Sequence, residues 1–137
     1  MNLHFERKET PFVFEIKNEN GATAVVDATT NIGGKNKGLT PMQLLAGSLA
    51  GCMSIDVISI LNKQKIDPSY FAIEIQAKKK EGQPSPFEII HLLFKVDKNV
   101  PKEKLEKAII LSKEKYCSVY FSLNKEIEVS YEIEATD

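Results

Sequence analysis

At 137 residues the chain can bury one hydrophobic core and is short for two, so a single domain over residues 1–137 is expected. Its 18 basic and 19 acidic residues leave a formal charge of −1, which offers no field to a nucleic acid or an anionic membrane. With 42% hydrophobic and 27% charged residues it has the composition of an ordinary folded protein, and only one of its basic residues, Arg7, is an arginine.

The N-terminal "MNLHFERKETPF" alternates charged with apolar residues and lacks the continuous apolar run of a signal peptide. Together with only two cysteines, this points to a reducing cytoplasm, where a standing structural disulfide is not expected. "NLHFERK" and "PFVFEIKN" alternate at period two and read as strands, with Phe12, Phe14 and Ile16 on one face. After a turn signal at Asn20-Gly21, "ATAVVDA" supplies a third strand. "TTNIGGKNKGLTP" is rich in Gly, Asn and Lys and reads as a mobile loop.

A helix follows from about residue 41 to 63, with Thr40 as N-cap and Pro41 at its first position. It is apolar nearly all round, which predicts burial on most sides; Ser48, Ser54, Asp56 and Ser59 interrupt it and favour a core helix over a membrane span. Gly47 and Gly51, four apart, permit close approach of another element, a second copy of the same helix being a natural partner. "SYFAIEIQAKK" and "FEIIHLLFKV" read as strands around the turn "KEGQPSP", and "PKEKLEKAIILSKEKYC" as a shorter amphipathic helix. The last strand, "EIEVSYEIE", alternates Ile127, Val129, Tyr131 and Ile133 with an acidic outer face. The order βββ-α-ββ-α-β predicts an α+β protein with sheets around a hydrophobic helix.

Chemistry concentrates at the cysteines. Cys52 lies mid-helix, where its own helix offers no free N–H, and Asp56 four residues on disfavours a thiolate there. A small core residue is the alternative reading of Cys52. Cys117 precedes "SVYFSL", a short helical segment whose N-terminus would favour a thiolate if the chain turns at Tyr116; it too reads equally well as a core residue. His4 and His91 with the cysteines make four donors on paper, but the paired spacing of a structural zinc site is missing, so neither metal nor cofactor is expected. "GGKNKG" lacks phosphate-loop spacing, and "SLAGCMS" is not a serine nucleophile elbow.

"TPMQLLAGSLAGCMSIDVISIL" followed by "LSKEKYCSVYFSL" resembles the OsmC/Ohr family of thiol peroxidases, in wording the YhfA-like branch, and the resemblance runs along essentially the whole chain. It implies an OsmC-like α+β fold in which antiparallel sheets from both chains of an intertwined homodimer enclose buried central helices. It further implies an organic hydroperoxide reductase: Cys52 becomes a sulfenic acid, Cys117 condenses with it to a disulfide, and a dithiol reductant reopens the bond. In active members a glutamate directly after the helix-opening proline pairs with an arginine that lowers the first thiol's pKa. Here that position is Met42, followed by Gln43, which can hydrogen-bond an arginine, and Arg7 is the one arginine available. The alternatives are a non-enzymatic member binding a small hydrophobic or thiol-reactive ligand, and a redox sensor.

Overall fold

The alternating N-terminal segments pair as their pattern predicts. In the computed structural model, which describes residues 1–137, β1 (Leu3–Glu9), β2 (Val13–Asn18) and β3 (Thr23–Val26) form an antiparallel sheet in that order. The β2–β3 turn closes on Asn18, whose side-chain Oδ1 accepts the N–H groups of Asn20 and Ala22, while Gly21 adopts φ 91°. Contacts divide the chain into two compact units, Met1–Leu45 and Ala46–Asp137.

The segment rich in Gly, Asn and Lys is a loop, as expected, and a buried carboxylate organises it. Asp27 accepts the N–H of Ala28 on Oδ1 at 2.7 Å and those of Lys35 and Lys37 on Oδ2 at 2.9 and 3.2 Å. A 3-10 turn at Thr30–Ile32 lies between. Gly34 and Gly38 run so close to the carbonyls of Ala28 and Val25 that a Cβ at either would overlap them. Leu39 then bridges to Val26, returning the chain to the sheet.

Helix α1 (Pro41–Lys63) starts where the sequence says. Thr40 and Gln43 form a capping box: the Thr40 N–H donates to Gln43 Oε1 at 2.9 Å and the Gln43 N–H to Thr40 Oγ1 at 3.3 Å. By length and hydropathy α1 could also span a bilayer, but Leu49, Met53, Val57 and Leu61 are fully buried as a core stripe. Burial is one-sided, contrary to expectation: Ser48, Gly51, Ile55 and Ser59 lie exposed on the opposite stripe.

In the second unit β4 (Phe71–Lys79), β5 (Phe87–Asp97) and β6 (Glu128–Thr136) form a sheet in that order. The β4–β5 pair is antiparallel, as expected of a hairpin, whereas β5 and β6 run parallel. The crossover through α2 (Lys102–Leu111) and α3 (Ser118–Ser122) carries the chain back before β6 begins, which a parallel pair requires. Ile90, Leu92, Phe94 and Val96 of β5 point into the core, which Leu105, Ala108 and Ile109 of α2 and Val129 of β6 also fill. Lys95 on the outer face pairs with Glu74 and Glu134 on the flanking strands.

Candidate functional site

Two helix ends and one helix middle converge in the second unit. Between α2 and α3 the chain makes a π turn, Ser112–Tyr116, a rare geometry that often marks functional sites. It ends with the Cys117 N–H donating to the Ser112 carbonyl at 2.8 Å, and Cys117 becomes the N-cap of α3, its Sγ accepting the Tyr120 N–H at 3.3 Å. Lys113 ties the turn to β6 by donating to the Val129 carbonyl at 2.8 Å.

Facing this turn, α1 presents Cys52 and, one turn on, Asp56, both half-buried. The Cys52 sulfur, the Cys117 sulfur and an Asp56 carboxylate oxygen all lie within 4.8 Å of one another. Both cysteines are free thiols, and Cys117 is fully buried. Asp56 Oδ2 accepts the Ser112 hydroxyl at 2.8 Å, so one buried serine holds both partners: Asp56 by its side chain and Cys117 by its carbonyl.

The position of Cys117 at a helix start is the one expected, but its electrostatics run the other way. Burial pushes the thiol up to about 12; a hydrogen bond to Cys52 and the charges of Cys52 and Asp56 act in the same direction. The Tyr120 N–H favours the thiolate and is outweighed. Cys117 therefore keeps its proton at neutral pH.

Helical spacing puts Asp56 beside Cys52 but does not bring Ser112 to them. A signal was present: Leu105, Ala108, Ile109 and Ser112 fall at helical spacing, so a hydroxyl continues the buried stripe of α2 and needs a partner. Arg7 and Gln43 belong to the first unit. Arg7 is exposed on β1 opposite Phe14 and has no carboxylate partner. The Gln43 amide oxygen is engaged at the helix start.

A family model described as OsmC-like protein matches residues 34–132. The chain belongs to this family. Protein YhfA of Escherichia coli (strain K12) is 34% identical over 103 residues, 73% of this chain and 77% of that protein. Among solved structures, a hypothetical protein from Aquifex aeolicus superposes with a TM-score of 0.79 at 28% identity, covering 99% of this chain and 97% of that one. The organic hydroperoxide resistance protein OhrB of Bacillus subtilis shares the fold with a TM-score of 0.68 at 17% identity, covering 98% of each. Membership of the OsmC-like family and the two adjacent free thiols support a redox-related role.

Proposed function

We propose that this OsmC-like protein reduces organic hydroperoxides through Cys52 and Cys117. The observation that carries the reading is the pair of free sulfurs, within 4.8 Å, from two separate elements. Burial raises the Cys117 thiol and disfavours it as the attacking group, which leaves the attack to Cys52 in this reading. The Cys52 thiolate attacks one peroxide oxygen, the O–O bond breaks, and the alkoxide takes a proton and leaves as the alcohol. Cys52 is left as a sulfenic acid. The Cys117 sulfur then bonds to the Cys52 sulfur, and its proton leaves with the sulfenic hydroxyl as water; the Asp56 carboxylate, within 4.8 Å of that sulfur, is the neighbouring base. A dithiol reductant restores both thiols. OhrB, an organic hydroperoxide resistance protein on the same fold, is consistent with this chemistry.

Met42 and Gln43 favour a second reading. The position after the helix-opening proline carries no acid, and Gln43 serves the capping box, so nothing on that turn fixes a guanidinium by charge. A protein that binds a hydrophobic or thiol-reactive ligand, or that senses oxidation once, keeps the fold without turnover.

Intact mass after one equivalent of cumene hydroperoxide tests the proposal. Wild type should lose two hydrogens, Cys117→Ser should stop at a sulfenate trapped by a diketone, and Cys52→Ser should stay unchanged. With a dithiol present, an enzyme consumes many equivalents of peroxide, a sensor one and a binder none. Wild type remaining reduced while a control peroxidase reacts would overturn the reading.

A further inference from the structure

We infer that the reduced chain binds a thiophilic divalent cation of the zinc group through Cys52 Sγ, Cys117 Sγ and the Asp56 carboxylate. Two cysteine sulfurs, which give up their protons to solvent as the ion binds, and a carboxylate are a donor set that zinc accepts, with three protein ligands leaving a fourth tetrahedral position open to water or an external ligand. Around such an ion, donors at roughly 2.0 to 2.3 Å from the metal stand about 3.5 Å apart. The three donors already lie within 4.8 Å of one another, so a small contraction closes the site.

The scaffold supports this arrangement. Cys52 and Asp56 sit one turn apart on α1, the i, i+4 spacing by which a helix offers two ligands to one ion. Cys117 is fixed from the other side by the Ser112 carbonyl and the Tyr120 N–H. Asp56 uses Oδ2 to accept the Ser112 hydroxyl, and its Oδ1 has no hydrogen-bond partner. A buried hydroxyl on the carboxylate is the kind of outer contact that orients ligating acids. Cys52 and Asp56 are only half-buried, which leaves the ion a way in. The sequence hid the site because its third ligand is a single distant cysteine rather than a second close pair.

Metal and disulfide draw on the same two sulfurs and exclude each other. Each thiolate gives one electron when the disulfide forms, and the ion is released. A hydroperoxide as oxidant takes up two protons and leaves as alcohol and water. This binding does not rest on the peroxidase reading, since diamide, which takes up the two electrons itself, oxidises the pair equally well.

The test is titration of metal-free, reduced protein with Zn²⁺ under argon, against a chromophoric chelator. One ion per chain should bind. Cys52→Ser and Cys117→Ser should weaken it at least 100-fold, and Asp56→Asn at least tenfold. Asp56→His, which supplies another ligand on the same turn, should restore tight binding even though it removes the carboxylate. Diamide-treated wild type should bind no zinc, and bound zinc should protect both thiols from iodoacetamide. Equal affinity in Asp56→Asn and wild type would overturn the proposal by reducing the site to an ordinary dithiol. Unchanged affinity in either serine variant would overturn it by locating the ion elsewhere.

Discussion

Cys117 and Asp27 are buried groups on which desolvation and N–H donors oppose each other, and the outcomes differ. At Cys117 one N–H, from Tyr120, meets burial and the Cys52 and Asp56 charges, and the thiol stays protonated. At Asp27 burial is again the largest single effect and raises the carboxyl. The N–H groups of Lys35, Lys37 and Ala28 together outweigh it and hold the group below the usual carboxylate range. The sign for stability follows: a carboxyl lowered in the folded state stabilises the fold above its unfolded pKa of about 4 and loses that contribution as pH falls through the folded value. Asp27→Asn keeps one acceptor for three donors and removes the charge. Urea unfolding at pH 7 should show the variant clearly less stable than wild type, with the gap narrowing as pH falls below about 4. An equal gap at both ends of that range would mean that the carboxylate is not the organising group of the loop.

Elements show where the sequence was legible and where it was not. The start of α1 is written locally, in Thr40, Pro41 and Gln43, and the structure uses all three. Thr40→Ala should therefore cost about 1 kcal/mol, read as a lower denaturant midpoint. Gln43→Glu keeps the reciprocal bond, adds a favourable charge near the helix N-terminus and should leave stability equal or higher. The strands were legible too, because alternation is also a local property. The parallel β5–β6 pairing was not, since it depends on where the crossover sets the chain down. Nor was the π turn, or the bond between Asp56 and Ser112, 56 residues apart. Helical spacing could place Asp56 beside Cys52, but only folding brings the α2 end against that face. The loop after β3 is a loop, as its composition predicts, but its anchoring is not written there: Gly, Asn and Lys describe a chain that can turn, and the buried acceptor that organises it lies upstream at Asp27.

At the scale of the whole molecule, the sequence and the single chain disagree about α1. Its composition asks for burial all round, yet one stripe is exposed, with Ile55 at 69% and nothing near the positions a Cβ would take at Gly47 and Gly51. The N-terminal sheet likewise leaves Leu3 and Phe5 about half exposed, with Phe5 stacked on Phe14 at 4.9 Å. Scattered apolar residues need no explanation, but a stripe of small residues with Ile55 exposed among them, on a 23-residue helix, is a face suited to close packing. A second copy of the chain would meet the requirement, because two small-residue faces related by a two-fold axis can approach closely and bury Ile55 on both sides. Wild type should then sediment at twice the chain mass, and its melting temperature should rise with concentration. Ile55→Lys would set two like charges at the shared face, at a cost of several kcal/mol per buried ion. It should run as a monomer with a lower, concentration-independent melting temperature. Glu81→Lys, in an exposed turn between β4 and β5, should remain dimeric. A monomeric wild type, or an Ile55→Lys variant that still dimerises, would show that the exposed stripe of α1 is not covered in this way.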